Sequence, residues 1–155
     1  MFTQRLSDET WIKYLLSSGL VSVVQLQTIR GGQNQVNVAE VLCKHPDLFD
    51  TDVWINKALQ QDRFHFIPRK VQATELYELE QHQPNLVTRC MHEGILPLSY
   101  LNQILYLGLL RFDPEFPELQ EILSEVPPDL MACLVPLAPK EYTQIAKEVT
   151  AVLRH

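Results

Sequence analysis

Residues 94–110, GILPLSYLNQILYLGLL, contain the clearest strand pattern of the chain. Residues 95–98 and 104–110 are apolar segments, and residues 99–102 connect them. The second segment is apolar almost throughout, which is typical of a strand buried on both faces of a sheet. The pattern therefore predicts two strands, with residues 104–110 in the centre of a small sheet.

The residues that follow predict two helices and a third strand. Asp113-Pro114 interrupts the apolar run, and Pro117 suits the first turn of a helix. Residues 130–135 form another apolar segment, and a last helix begins near Pro139 with its apolar residues on one face. We therefore expect helices on the sheet in the second half of the chain.

The N-terminal part of the chain has the apolar spacing of helices. Ser7, Ser22, Asn37 and Asp50 each suit the cap of a short helix, and Gly19 suits a left-handed helix end. The residues expected to face inward from the second and fourth helices are Val23, Leu26, Ile29, Val53, Trp54, Ala58 and Leu59. Four short helices in this order predict two helical hairpins.

The apolar period changes after Gln61. Residues 63–67, RFHFI, alternate between polar and apolar side chains and predict a short strand, and residues 73–81 and 84–93 predict two helices. A change of period within one chain indicates a change of architecture.

The sequence as a whole predicts an α+β fold. Residues 1–70 form a helical-hairpin subdomain, and residues 71–155 form a small α/β subdomain. In the second subdomain a mixed sheet is flanked by helices. The absence of a Gly/Ser-rich linker predicts that the two parts pack together.

Composition limits the class of protein. The chain has 155 residues, of which 46% are hydrophobic and 21% are charged, which is typical of a globular domain. A net charge of -6 disfavours nonspecific binding to nucleic acid. No apolar run is long enough to insert into a bilayer, and three widely spaced cysteines suit a reducing compartment. We therefore expect a cytoplasmic protein.

The sequence contains no recognisable catalytic or metal-binding motif. Neither a Gly-x-x-x-x-Gly-Lys nor a Gly-x-Gly-x-x-Gly pattern is present. Cys43-x-His45 and Cys90-x-His92 lie in predicted helices, where residues two apart point to different faces, so no metal site is predicted. We expect a non-enzymatic protein without a cofactor. An enzyme of unrecognised type stays open as a hypothesis beside the two that are described below, and only scattered polar residues support it.

Two helical hairpins share a pattern of apolar residues. Residues 15–21, LLSSGLV, followed by Leu26 and Gln33, have the form apolar-apolar-x-x-Gly-apolar-apolar, then Leu, then Gln. Residues 41–49 form a second, degraded copy, which continues to Trp54 and Gln61.

The segments that follow complete a collinear order. Residues 58–67 have the form Ala-Leu-x-x-Gln before a short apolar strand, and residues 94–98 contain Leu-Pro-Leu. The strand to Leu110 and Asp113-Pro114 come next. Over residues 10–153 this order resembles the N-terminal domain of type II secretion and type IV pilus assembly ATPases.

The resemblance implies a regulatory and docking role, because this domain is not the motor of such ATPases. The implied partner is a protein of the inner-membrane assembly platform, which would give the chain a peripheral position at that membrane. A protein-interaction module of this machinery is therefore the first functional hypothesis. The sequence does not show whether a motor domain follows residue 155.

The alternative implied by the resemblance is a receptor for cyclic di-GMP, which some members bind through the paired hairpins. Their motif begins with Arg-Leu-Gly, whereas the positions in register here are Thr10-Trp11-Ile12 and Asn37-Val38-Ala39. By resemblance, the candidate binding residues are Thr10, Gly19, Leu26, Gln33, Asn37 and Gln61. Because Thr10 and Asn37 carry no charge where the motif has arginine, weak or absent binding is predicted.

Overall fold

The computed structural model describes residues 6–30, 37–62, 64, 73–101, 103–113, 116–126 and 128–153. Within these residues the chain forms eight α-helices, one 3₁₀ helix (Pro46–Leu48) and three β-strands. The α-helices are α1 (Leu6–Ser18), α2 (Val23–Arg30), α3 (Val38–Lys44), α4 (Thr51–Leu59), α5 (Ala73–His82), α6 (Leu86–His92), α7 (Pro117–Leu123) and α8 (Pro139–Leu153). The strands are β1 (Ile95–Leu101), β2 (Ile104–Leu109) and β3 (Met131–Pro136). This arrangement confirms the predicted α+β fold class.

The strands form one mixed sheet with β2 in the centre. β1 pairs with β2 in the antiparallel direction, and β3 pairs with β2 in the parallel direction. Leu105, Leu107 and Leu109 of β2 are fully buried. The central position predicted from the apolar segment is therefore confirmed, because both neighbours of β2 and its core-facing leucines are in place.

β1 is longer than predicted. Its pairing with β2 continues to Leu101, which lies opposite Ile104, so part of the expected connection belongs to the strand. The register shifts between Pro97 and Ser99. A proline lacks the amide hydrogen that a regular ladder needs, and its place beside an irregularity on an edge strand is consistent with that.

Local side-chain caps define the helices of the N-terminal part. The Asn37 carboxamide oxygen accepts a hydrogen bond from the Glu40 backbone amide. The Asp50 carboxylate accepts one from the Val53 backbone amide in the same way. Ser22 Oγ accepts from the Gln25 amide, and Gln25 Oε1 accepts in return from the Ser22 amide. Gly19 has a φ of 82°, the left-handed conformation that glycine tolerates. The predicted caps at Gly19, Ser22, Asn37 and Asp50 are therefore confirmed.

Three of the residues expected to face inward are exposed, namely Val23, Val53 and Leu59. Val23 on α2 and Val53 on α4 point to solvent, whereas Trp54 and Ala58 are buried. Adjacent residues of a helix lie about 100° apart, so Trp54 in the core turns Val53 outward. Leu26 is half-buried, and the Ile29 side chain lies outside the described residues.

The two parts of the chain share one hydrophobic core. Aromatic rings contribute edge-to-face contacts, including Trp54 against Phe112 with ring centres 6.2 Å apart. Trp54 Nε1 also donates a hydrogen bond to the Leu110 carbonyl at 3.3 Å. The parts therefore pack together as expected, while the division at residue 70 stays a prediction.

The predicted strand over residues 63–67 is described only at Phe64. Phe64 forms a single parallel bridge with Leu134 of β3. The remaining positions of that prediction lie outside the described residues.

Candidate functional site

Besides Leu59, which is 37% exposed, four large apolar side chains of the helical hairpins face solvent. Val23 and Val24 in the first turn of α2 are 59% and 70% exposed, Val53 on α4 is 56% exposed, and Leu48 of the 3₁₀ helix is 42% exposed. We call these four residues the hairpin surface. Single exposed apolar residues are common, but several on neighbouring elements indicate a contact surface.

The local fold explains why these side chains point outward. The Gln25 side chain donates from Nε2 to the Leu48 carbonyl at 3.2 Å, which brings the first turn of α2 beside the 3₁₀ helix. Phe49 and Trp54 occupy the core and contact one another with ring centres 5.7 Å apart. Leu48 and Val53 each precede one of these rings in the chain and are therefore turned away from the core.

Carboxylates lie among the apolar residues of the hairpin surface. Asp47, Asp50 and Asp52 are all exposed; the first two flank Leu48 and Phe49 in the chain, and Asp52 directly precedes Val53. Asp50 has a structural role, because its Oδ1 accepts from the Val53 amide at 2.9 Å. Exposed carboxylates therefore neighbour the exposed apolar residues of the 3₁₀ helix and of α4 in the chain.

A groove of about 430 Å³ lies between α3, α6 and α8. Its lining includes the apolar side chains Ala39, Met91 and Ala146 and the polar side chains Asn37 and Lys147. The groove could admit a small molecule, although the titratable groups in it decide what chemistry is available.

Burial favours the protonated forms of the Cys43 thiol and the Tyr142 phenol, which both line this groove. Desolvation raises the pKa of the Cys43 thiol, and a hydrogen bond with Thr143 lowers it in part. Burial raises the pKa of Tyr142 well above 10.0, and the Tyr142 hydroxyl donates to the Met91 carbonyl at 3.1 Å. The groove therefore presents no thiolate nucleophile at neutral pH.

A second groove, of about 560 Å³, lies between α6 and α7. It shares Thr88 and His92 with the first groove and is lined by several carboxylates. Nearby, Arg89 Nη2 lies 2.6 Å from Glu125 Oε2, and the hydrogen bond to Glu125 raises the pKa of Arg89. Among the described residues, no group of three His, Cys, Asp or Glu side chains could hold a metal ion.

A buried charge cluster follows β2, and sequence analysis did not identify it. Arg111 and Asp113 have no exposed side-chain surface, and Arg111 Nη2 donates to Asp113 Oδ2 at 2.9 Å. The Arg111 guanidinium carbon lies 4.3 Å from the Phe116 ring centre and 5.2 Å from the Trp11 ring centre. Glu118 lies 4.0 Å from the same guanidinium.

The Arg111 cluster joins elements instead of forming an open site. Its two rings come from α1 and from the residue before α7, and both are buried. A signal was available, because Arg111 and Asp113 are two apart next to a strand and so can share one side of an extended backbone. In the sequence, Asp113-Pro114 indicates the end of the strand and a step of the collinear order, and neither interpretation points to an ion pair.

The candidate cyclic di-GMP residues make their contacts in different parts of the molecule. Asn37 Nδ2 donates to the His92 carbonyl of α6 at 3.1 Å, and Gln61 Nε2 donates to the Phe112 carbonyl at 2.6 Å. Thr10 on α1 and Leu26 on α2 are half-buried, Gly19 is exposed, and Gln33 lies outside the described residues. Asn37 and Gln61 thus both connect the hairpins to the second half of the chain, at different elements.

Comparisons with known proteins give one structural likeness. No protein family matches the chain, and no curated protein matches it. A solved structure described as "Structure of MshE with cdg" has 18% sequence identity and a TM-score of 0.49. That match covers 94% of this chain and 98% of the other. Such a likeness does not assign the chain to a family.

None of the described helices has the length and apolarity needed to cross a bilayer.

Proposed function

We propose that this chain is a non-catalytic regulatory and docking module that binds a protein of a secretion or pilus assembly platform. The hairpin surface carries the docking part of the proposal, because Val23, Val24, Leu48 and Val53 are exposed on adjoining elements. Apolar surface that a partner removes from water favours the free energy of binding by about 25 cal/mol per Å². The kind of machinery is taken from the sequence resemblance alone.

The state of the polar groups supports a non-catalytic role. Arg111 and Asp113 are sealed from solvent and paired with each other. The Cys43 and Tyr142 groups near the α3/α6/α8 groove hold their protons because burial disfavours their charged forms. A general base or a nucleophile needs a proton affinity matched to neutral pH, and these groups do not have it.

The test is capture of purified cytoplasmic domains of platform proteins, each assayed singly against the purified chain. We expect one of them to bind, and we expect Val24→Ser combined with Val53→Ser to abolish binding because both changes remove exposed apolar area. Tyr77→Ser combined with Met131→Ser is the matched control, since both side chains are exposed on other elements. Failure of every domain to bind, or equal binding by the hairpin-surface variant, refutes the proposal.

A cyclic di-GMP receptor is the second candidate, and Gly19 favours it. A Cβ placed at Gly19 would meet no atom within 4 Å, so a ligand could approach this backbone. The purified chain is titrated calorimetrically with cyclic di-GMP, with Gln33→Ala as the informative variant. Gln61→Ala is less informative because its amide already holds the Phe112 carbonyl. Micromolar binding that Gln33→Ala abolishes would support the receptor; no measurable heat of binding would remove it.

A further inference from the structure

We propose that the partner docks with a basic amphipathic helix, whose apolar face covers the hairpin surface and whose Lys or Arg side chains pair with Asp47 and Asp52. This inference rests on the proposed docking function and adds the chemistry of the partner. It is drawn from the acidic residues that border the hairpin surface.

Two exposed carboxylates of this region are available to pair with a partner. Asp47 and Asp52 are exposed, and neither forms an ion pair within the described part of the chain. The nearest upstream cation, Lys44, instead lies 3.5 Å from Glu40 on its own helix. Exposed carboxylates beside exposed valines complement a partner that is both apolar and cationic.

The roles of these carboxylates in the fold do not account for the whole surface. Asp50 caps α4, and Asp52 in the first turn of α4 interacts favourably with the helix dipole. Neither role explains why Val23 and Val24 are exposed in the first turn of α2, which the hydrogen bond from Gln25 to the Leu48 carbonyl joins to the 3₁₀ helix. A partner with an apolar face would cover these valines while its cations lie against Asp47 and Asp52.

The surface favours a helix over an extended segment. The residues that form it belong to α2, the 3₁₀ helix and α4, and none belongs to a β-strand. An extended peptide gains affinity by pairing its backbone with a sheet edge, whereas a helix pairs its own backbone and presents side chains only. The hairpin surface offers side chains, so it matches the second mode.

Charge also argues against two other occupants. A bilayer with anionic lipids would face Asp47, Asp50 and Asp52 with the same sign of charge. A second copy of this chain, which has a net charge of -6, would place the same carboxylates against its own. Both occupants are therefore outcomes that would overturn the proposal.

The probe is an amidated, fluorescein-labelled peptide of about 18 residues, with leucines at i, i+3, i+4 and i+7 and lysines at the other positions. A matched peptide carries glutamate in place of lysine. Fluorescence anisotropy with the purified chain measures both. We expect the lysine peptide to bind at least about tenfold more tightly than the glutamate peptide, and we expect added salt to weaken that binding.

Two variants separate charge from apolar contact. Asp47→Asn with Asp52→Asn should weaken the lysine peptide about tenfold. Glu121→Gln with Asp129→Asn removes the same charge outside the hairpins and should change binding less than about twofold. Val24→Ser with Val53→Ser should weaken the peptide about tenfold or more. Equal loss in the acidic variant and in its control would overturn the inference, because binding would then follow net charge only.

Further outcomes decide between the occupants. Equal binding of the two peptides would overturn the inference, as would stronger binding to phosphatidylglycerol vesicles than to the lysine peptide. Self-association in sedimentation that Val24→Ser abolishes would also overturn it. A platform domain could be captured in a way that depends on Val24 and Val53 but is unchanged by Asp47→Asn with Asp52→Asn. That result would overturn this inference and leave the docking function supported.

Discussion

The Arg111 cluster and the hairpin surface are built from similar residue types and differ in their access to water. Each places carboxylates beside large apolar side chains. At the Arg111 cluster, Asp113 and Arg111 are fully buried and paired between the Trp11 and Phe116 rings. At the hairpin surface, the carboxylates and valines are exposed.

The difference separates groups whose interactions stabilise the fold from groups that are exposed to a binding partner. A buried charge interacts strongly with its partner and is costly to leave alone, since little water remains to solvate it. An exposed carboxylate is solvated and screened, and changing it affects the free energy of unfolding little. We therefore expect substitutions at the first region to change stability and substitutions at the second to change binding.

The largest effect is expected from Asp113→Asn. This change removes the carboxylate that pairs with Arg111, a cation with no exposed side-chain surface, and leaves Glu118, whose carboxylate lies 4.0 Å from the guanidinium. The expected loss in the free energy of unfolding is about 3–5 kcal/mol, measured by urea denaturation. Asp129→Asn at an exposed turn is the control, and it should lie within about 0.5 kcal/mol of the parent chain. A loss below about 1 kcal/mol for Asp113→Asn would show that the buried pair does not hold the fold.

Gly108→Ala tests the packing of the buried sheet without altering charge. A Cβ at this position would lie 2.4 Å from Leu137 Cδ1 and 3.0 Å from Leu137 Cγ, and Leu137 is fully buried. Overpacking of this kind costs about 1–3 kcal/mol. In a double-mutant cycle, Gly108→Ala combined with Leu137→Ala should cost less than the sum of the two single changes. Additive losses would mean that the two side chains do not compete for this space.

Alkaline pH should weaken the buried region through Cys90. Burial raises the pKa of the Cys90 thiol from its ordinary value of 9.0 to about 12. The folded chain therefore keeps a proton that the unfolded chain loses above pH 9.0, and stability falls as pH rises from there. The expected slope from this group approaches about 1.4 kcal/mol per pH unit.

Urea denaturation between about pH 8 and 10, a window that brackets the ordinary thiol pKa of 9.0, measures this slope. Cys90→Ala should flatten it by the contribution of one proton. Cys133→Ala is the comparison, because the Cys133 thiol is less buried, although burial raises its pKa too. Identical slopes for the parent chain and Cys90→Ala would contradict the prediction.

The smallest effect on stability is expected at the hairpin surface. Val24→Ser changes a side chain that is 70% exposed, so the free energy of unfolding should stay within about 0.5 kcal/mol of the parent value. Thermal denaturation of the single variant checks this. A loss of about 2 kcal/mol would place Val24 among the residues that hold the fold, and the contrast between the two regions would then be wrong.

The elements of the fold could be predicted where the signal is local. Asn37 and Asp50 bind amides three residues away, and the apolar segment that forms β2 needs no distant information to indicate a buried strand. Fold class and strand order near β2 followed from such patterns. The mixed directions of the sheet agree with a parallel crossover through α7 between β2 and β3.

The two regions compared here depend on information that is not local. Arg111 contacts Trp11, which lies about a hundred positions earlier in the chain, and no spacing in the sequence pairs these residues. Val23 and Val53 have the residue type of the core, and only the packing of Trp54 and its neighbours turns them outward. Apolar period alone therefore indicates that a helix has a buried face, but it assigns borderline positions to that face incorrectly.

The contact between Trp11 and Arg111 also bears on the order in which the chain can fold. The two residues are about a hundred positions apart, so their contact closes a long loop, whose entropic cost must be met before the contact is gained. Hairpins and the β1–β2 ladder close short loops and can form earlier. We therefore expect docking of α1 onto the Arg111 guanidinium to be a late event, so that substitutions at Trp11 accelerate unfolding more than they slow folding in stopped-flow kinetics.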